Sequence, residues 1–409
     1  MRRVAITGVG AVTPVGNDAK ATWEALLAGR SGIDEIRAFD ASDFPVRIAG
    51  EVKDFDPADV VGRKKARQLD RAVLFAIAAA REALDDAGMN GYQADRVGVV
   101  VGSCVGGINQ TLQQYDVLRE RGWERMSPFF LANFLVDAPS GHLALELGLT
   151  GPNHAVVSAC ATGSHAIGEG AELIKRGGAD AVLAGGTEGC ISPIVLGGFC
   201  AMRGLAQSNG DPRTAARPFD ANRSGFVMAE GAGIVVLEEL DAAKARGARI
   251  YAEVLSYGSS NDAHNMIQPD PEAEGVSAMM ERALVAGGVA PEDVSYVNAH
   301  GTGTPLGDLA ETKAIKRTFG EHAYELPISS TKSMLGHMFG AAGAVEGIVC
   351  ALAIHHGKLP PTINLECPDP ELDLDYVPNQ AREATVNVAL SNAMGLGGHN
   401  ACVLFGRGW

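Results

Sequence analysis

Val156-Val157-Ser158-Ala159-Cys160-Ala161-Thr162-Gly163-Ser164-His165 runs from an apolar, β-branched segment through small residues into a helical pattern of Gly and Ala. The spacing predicts a strand over 155–159, a sharp turn and a helix, with the Cys160 thiol at the helix start. Backbone N–H groups and the dipole at a helix N-terminus favour an anion there. The thiol is therefore expected to ionise more easily than a free cysteine, whose pKa is ~8.5. Small neighbours leave room for a substrate carbonyl, so Cys160 reads as a nucleophile. The alternative is a small buried hydrophobe.

Further along, the same layout returns. A strand over 326–331 leads into Lys332 to His337 and then into Gly340-Ala341-Ala342-Gly343-Ala344-Val345. Helices with so few large side chains let other elements come close, so both are expected inside the protein. Strand patterns alternate with helix patterns from Val4–Val9 to Val386–Leu390, which implies an α/β architecture with largely parallel sheets. Two such units suggest a duplicated fold. The halves divide near residue 250: 1–250 carries the cysteine and 251–409 carries two candidate histidines.

A chain of 409 residues with 46% apolar and 20% charged residues can bury a large core. Its 51 glycines are dispersed rather than periodic. A net charge of −15 argues against non-specific binding to nucleic acid or to an anionic membrane surface. No stretch approaches the ~20 apolar residues of a membrane span. The N-terminus enters a strand pattern at once, without the apolar core and cleavage site of a signal peptide. The seven cysteines form no C-x-x-C pair, so neither a disulfide framework nor a zinc site is expected. These features suit a soluble protein of a reducing, cytoplasmic compartment. Ser208-Asn209-Gly210-Asp211-Pro212 opens a segment of strong turn chemistry.

Three downstream segments carry chemistry. Val297-Asn298-Ala299-His300-Gly301-Thr302-Gly303-Thr304 delivers a histidine from a strand tip into a loop of glycines and hydroxyls. Ser329-Ser330-Thr331-Lys332-Ser333-Met334-Leu335-Gly336-His337 sets a lysine and a histidine five residues apart at a strand-to-helix junction. Glu346 is the lone charge in the long apolar helix pattern that follows. A buried carboxylate needs a partner, and Lys332 is the candidate; a surface salt bridge is the alternative. Leu390-Ser391-Asn392-Ala393-Met394-Gly395-Leu396-Gly397-Gly398-His399 ends a strand in a glycine-rich loop. It could aim N–H groups at a carbonyl oxygen, or simply turn the chain. One Cys with two His differs from a protease triad. Neutral imidazoles donating to a carbonyl oxygen suit an enolate.

These segments, with Arg217-Pro218-Phe219-Asp220 and Gly225-Phe226-Val227-Met228-Ala229-Glu230-Gly231, resemble those of the elongating 3-oxoacyl-ACP synthases of the thiolase-like superfamily. The match spans essentially the whole chain. The resemblance implies a thiolase-like five-layered αβαβα fold with two similar halves, a homodimer, and decarboxylative Claisen condensation. Carried over, Cys160 takes the acyl chain as a thioester, and His300 and His337 hold the malonyl thioester carbonyl. The N–H groups of Cys160 and Leu396 form the oxyanion hole, and Lys332 supports the site through Glu346. Thr302 and Thr304 bind the phosphopantetheine arm, which arrives on the acyl carrier protein, so no resident cofactor is implied. Asn298, Glu346, Ser391 and Asn392 resemble a structural monovalent-cation site.

An acidic carrier needs a local basic face. Arg63, Lys64, Lys65, Arg67 and Arg203 supply the candidates; a solvated helix start is the other reading of the first four. Val105, Phe130, Phe199, Met394 and Leu396 are the expected acyl-pocket residues. Fatty-acid members usually carry a phenylalanine pair where Met394 and Leu396 stand, and often a larger residue at Val105. Two-carbon extension in fatty-acid synthesis is the leading expectation. A ketosynthase subunit of a dissociated polyketide or polyene synthase, paired with a chain-length-factor-like subunit, is the rival. A thiolase would place a second cysteine in the Met394–Leu396 loop, whereas Cys402 lies in the following strand pattern. A non-catalytic partner subunit would lack Cys160.

Overall fold

The computed structural model describes residues 2–89, 91–207 and 210–407; Ser208 and Asn209, at the head of the expected turn segment, lie outside the described residues. Ten strands form one sheet: β1 Val4–Val12, β2 Val97–Gly102, β3 Asn153–His154, β4 Ala181–Glu188, β5 Gly231–Glu239, β6 Ala252–Asn261, β7 Tyr296–Asn298, β8 Ile328–Ser329, β9 Val388–Gly395 and β10 His399–Gly406. Their order is β8-β7-β9-β10-β6-β1-β5-β4-β2-β3. Outward from the β1–β6 seam, one half runs β1-β5-β4-β2-β3 and the other β6-β10-β9-β7-β8, the same order five strands later.

The sheet is mixed, not largely parallel. β2 runs parallel to β3 and β4, and β7 to β8 and β9. β5 is antiparallel to β1 and β4, and β10 to β6 and β9. β10 follows β9 through the tight Leu396–Gly398 turn, and a hairpin can only return the strand antiparallel. Apolar runs buried on both faces look alike in either direction, which is why composition suggested parallel strands.

Six helices complete the layers: α1 Arg71–Ala87, α2 Ala138–Leu147, α3 Thr162–Lys175, α4 Glu274–Gly287, α5 Pro305–Phe319 and α6 Ala342–His356. α1 and α2 cover the outer face of the first half, and α4 that of the second, with α5 packed beside it. α3 and α6 lie between, each touching strands of both halves. The result is five layers, αβαβα. α1 shows how local chemistry sets an element. The Asp70 carboxylate caps its start by accepting from Ala72 N at 3.0 Å, and Gly88, at φ 57°, ends it.

The central pair explains its own composition. A Cβ added at Gly163 would stand 2.5 Å from Ala344 N, and one at Gly343 2.2 Å from Ser164 Oγ. α3 and α6 therefore meet backbone to backbone, and larger residues there would drive the halves apart. The segment Phe339–His356 is, against expectation, long and apolar enough to cross a membrane, but 89% of it is buried inside the protein. Its apolarity is that of a core helix wrapped on all sides.

Candidate active site

Cys160 sits on an elbow. The paired strand is β3, Asn153–His154, two residues earlier than the expected 155–159. The chain then crosses the end of β2, where a Cβ on Gly102 would lie 2.4 Å from Val156 O, so it cannot stay in the ladder. Ala159 adopts φ 52°. Ala161 N then donates to Ser158 O and Thr162 N to Ala159 O, each at 3.1 Å, closing the turn that starts α3. The left-handed residue reverses the chain sharply and turns the thiol into the cavity beside it.

Three other segments meet that thiol. His300 follows β7, with its N–H and that of Gly301 donating to the Glu311 carboxylate, both at 2.8 Å. His337 follows the short helix Lys332–Leu335, and its N–H donates to Val227 O at 2.7 Å. The two imidazoles stand edge to face, 5.3 Å between centroids at 89°. Leu396 opens the β9–β10 turn. A Cβ on Gly395 would be 2.6 Å from Ser158 O and 3.1 Å from Cys160 N, so only glycine lets that turn lie against the elbow. The N–H groups of Leu396 and of Cys160 itself lower the proton affinity of the sulfur.

Cys160, His300, His337, Phe199, Thr302, Thr304, Arg203, Met394 and Leu396 line one cavity of about 390 Å³. Thr302 and Thr304 pair their hydroxyls at 3.1 Å. Phe226 and Phe339 also line it, and the sequence reading assigned neither to the pocket. Val105 and Phe130 do not line it: Val105 is 37% exposed, and Phe130 belongs to the short helix Phe130–Phe134 on an exposed apolar face. Arg63, Lys64, Lys65 and Arg67 lie outside it as well, and Lys65 is tied to Glu146, which Arg81 also holds. Cys402 is buried in β10.

Burial governs the electrostatics. It pushes the Cys160 thiol up to about 12, overriding the Lys332 charge and the N–H groups of Leu396 and Cys160 that pull it down. The expectation of an easily ionised thiol is therefore overturned: desolvation outweighs the helix start. Burial, reinforced by the Lys332 charge, holds His300 and His337 well below the usual imidazole range, so both are neutral. Both leave Nδ1 without a partner. The Lys332 ammonium is bonded to the Glu346 carboxylate, and both side chains are buried.

The Asn298, Glu346, Ser391 and Asn392 set passes a chemical test for a cation. Asn298 Oδ1, Glu346 Oε2, Ser391 Oγ and Asn392 Oδ1 are all buried oxygens without a hydrogen-bond partner. Asn298 and Ser391 are register partners in β7 and β9. Hard oxygen donors with one carboxylate suit a monovalent ion. Among the described residues there is no cluster of three or more His, Cys, Asp or Glu spaced for a metal.

Sequence reasoning also missed Glu188, Asp308 and Glu311. Glu188 ends β4 and accepts from the Ser103 hydroxyl at 2.7 Å, Cys104 N at 2.9 Å and Gly340 N at 3.0 Å. Asp308 accepts from Gly303 N at 3.0 Å and Phe219 N at 2.8 Å. Only Glu188 carried a signal in the sequence, a lone carboxylate in a run of small or apolar residues like that of Glu346; Asp308 and Glu311 stand three residues apart beside Lys313.

Comparison with known proteins agrees with this geometry. Residues 1–243 match the model of the β-ketoacyl synthase N-terminal domain, and residues 251–366 that of its C-terminal domain. A "3-oxoacyl-[acyl-carrier-protein] synthase 2" of Coxiella burnetii is 50% identical over 408 residues, 99% of each chain. Its namesake from Staphylococcus aureus is 49% identical over 406 residues, 99% of this chain and 98% of that one. Among solved structures, the ishigamide ketosynthase/chain length factor superposes with a TM-score of 0.90 at 37% identity, covering 99% of both chains. A type II PKS acyl-carrier protein in complex with its ketosynthase bound to the hexaketide gives 0.92 at 31%, again over 99% of both. With both domain models matched in order and half the residues shared end to end, this chain is a member of the β-ketoacyl synthase family.

Proposed function

We propose that the chain is a 3-oxoacyl-[acyl-carrier-protein] synthase that extends a carrier-bound acyl chain by two carbons in fatty-acid synthesis. The observation that carries this is the convergence of Cys160, two neutral imidazoles and two backbone N–H donors on one cavity. In the first half-reaction the Cys160 sulfur attacks the acyl thioester. Its proton passes to the departing pantetheine thiolate, and the acyl group stays on the sulfur. In the second, the malonyl carboxylate leaves as carbon dioxide, and its bonding pair becomes an enolate. His300 and His337 donate to the enolate oxygen, a role that neutral rings fill without first shedding a proton. The α-carbon then attacks the Cys160 thioester. The N–H groups of Cys160 and Leu396 hold the tetrahedral oxyanion until the thiolate is expelled.

Lys332 and Glu346 act as positioning residues for this site. A monovalent cation held by Asn298, Glu346, Ser391 and Asn392 would supply fixed positive charge beneath the Lys332–Glu346 pair. Thr302 and Thr304 receive the phosphopantetheine arm. Arg203 at the cavity, with exposed Arg63, Lys64 and Arg67, meets the acidic carrier. The protein works as a homodimer in the cytoplasm, where seven free thiols fit a reducing environment.

Intact-mass measurement on the purified protein tests the assignment. Cys160→Ala should carry no acyl adduct, and an adduct persisting there sinks the nucleophile role. His337→Ala should lose carbon dioxide release from malonyl thioester while still loading acyl groups. Condensation by the protein alone separates this reading from that of a subunit needing a heterologous partner.

A further inference from the structure

Ser158 stands just before the elbow, and all of its polar groups are tied to the start of α3. Its N–H donates to Thr162 Oγ1 at 3.0 Å, its carbonyl accepts from Ala161 N at 3.1 Å, and its hydroxyl meets His165 Nδ1 at 2.7 Å. Ser158 and Thr162 are both buried. His165 lies in the next turn of α3, and its ring reaches back over the elbow, with the same Nδ1 3.2 Å from Ala161 O. Whichever of the two atoms carries the hydrogen, the 2.7 Å contact binds Ser158 to the helix. The imidazole is set from the other half of the protein. Tyr257 of β6 lies so close to α3 that a Cβ on Gly168 would stand 2.4 Å from its ring, and its hydroxyl bonds the Glu169 carboxylate. The Tyr257 ring meets that of His165 edge-on, 6.3 Å between centroids at 78°. Neither Ser158 nor His165 lines the Cys160 cavity.

Ser158 also supports the other donor of the oxyanion hole. Its carbonyl oxygen would be 2.6 Å from a Cβ on Gly395, so the turn that presents Leu396 N–H rests on it. Ala159, between Ser158 and Cys160, holds φ 52°, a conformation that persists only where its surroundings enforce it. Relaxation of Ala159 would swing the Cys160 N–H and let the turn slide over Ser158. We propose that the Ser158–His165 pair prevents this: the two are positioning residues that keep the N–H groups of Cys160 and Leu396 aimed at a common oxygen. The proposal rests on the ketosynthase reading above and assigns what holds its oxyanion hole in register. Donors stabilise a tetrahedral oxyanion only where they already point at it, so a small displacement lowers the rate without undoing the fold. The malonyl enolate is held instead by His300 and His337, which stand on other segments and do not depend on this bond.

The test compares two rates on the full-length protein. One is acylation of Cys160 by octanoyl-pantetheine, followed by intact mass; the other is carbon dioxide release from malonyl-pantetheine. Acylation breaks the pantetheine S–acyl bond, forms the Cys160 S–acyl bond and sends the Cys160 proton to pantetheine. Ser158→Ala and His165→Leu should each slow acylation by about tenfold or more, approaching the ~10²–10³ of an oxyanion donor lost outright. Carbon dioxide release should keep its native rate in both. His165→Asn should restore acylation, because its amide sets a polar group where Nδ1 stands and can give or accept the bond to Ser158. Native acylation in both Ser158→Ala and His165→Leu overturns the proposal. So does a parallel loss of both rates, the mark of a general loosening, and so does acylation as slow in His165→Asn as in His165→Leu. Each of these leaves the ketosynthase reading standing; a folded native protein that takes no acyl group on Cys160 overturns both.

Discussion

Cys160 is subject to opposing forces, and burial wins. The Lys332 charge and two backbone N–H groups lower its proton affinity, yet desolvation leaves it at about 12. A thiol so placed is protonated at neutral pH, and its thiolate fraction grows about tenfold for each pH unit below that value. Alkylation of Cys160 by iodoacetamide should therefore climb about tenfold per unit from pH 7 to 10 without levelling. A plateau near pH 8 would contradict the burial argument. The chemistry follows from this state: the proton leaves during attack on the thioester, not beforehand. The histidines are displaced in the opposite sense. Both are pushed well below their usual range, chiefly by burial. They stay neutral through the pH range where a free imidazole titrates, so malonyl decarboxylation should be flat from about pH 6 to 8. An inflection near the free-imidazole value of ~6.5 would mean that one ring is solvated.

At the scale of the element, two contacts hold the site in shape. The first is Gly395 against the Cys160 elbow, with a virtual Cβ 2.6 Å from Ser158 O. Gly395→Ala must push the β9–β10 turn away from Cys160, at a cost of about 1–3 kcal/mol. Acyl loading should drop tenfold or more in a protein that still unfolds cooperatively, and loading at the native rate would show that the turn has slack. The second is the Glu311 carboxylate of α5, which accepts from His300 N, Gly301 N and the Asn392 amide. Glu311→Ala strands buried donors at about 1–3 kcal/mol each. Decarboxylation should suffer far more than acyl loading, because His300 loses its anchor and Cys160 does not; equal loss of both steps would refute that role. The elements themselves were largely legible. α3 and α6 start within a few residues of where Cys160 and the Gly-Ala run placed them, and both lie between the two halves as their small side chains implied. The nucleophile, both histidines and the Lys332–Glu346 pair were legible because each is the odd residue in a stretch otherwise small or apolar. Strand direction was not, since β5 and β10 carry the same doubly buried apolar pattern as parallel strands. Thiol acidity was not, because Phe226 and Phe339 close over Cys160 from segments 66 and 179 residues downstream in sequence. Glu311 and Asp308 were hidden for the same reason: their partners are backbone groups that only the fold brings near.

For the whole molecule, the ten-stranded sheet has an unfinished edge. β3 ends the order at one side, and both of its residues, Asn153 and His154, are exposed. An open edge with unpaired backbone groups invites another strand. The ground beside it is apolar. Phe129 is 48% exposed, Leu131 67%, Phe134 41%, Leu135 48% and Val157 41%. The helix holding Leu131 and Phe134 packs on α2, and α2 packs on β3, so edge and patch form one surface. The expected cover is a second copy, its β3 laid antiparallel to the first so that the sheet runs on through both and each apolar patch faces the other. This arrangement would also give Phe130, which misses the cavity of its own chain, a route to the acyl pocket across the interface. Light scattering at micromolar concentration should show a dimer for the native protein. Leu131→Asp with Phe134→Asp should yield monomers, because two carboxylates would have to be buried against apolar side chains. Asn153→Pro should weaken the dimer through the edge itself, by removing the outward-facing N–H donor of β3 from the new strand pair. A native protein that is monomeric alone, yet tightly bound by a related subunit lacking the nucleophilic cysteine, would show that the edge is built for a different chain; a dimer indifferent to all three changes would place the interface elsewhere.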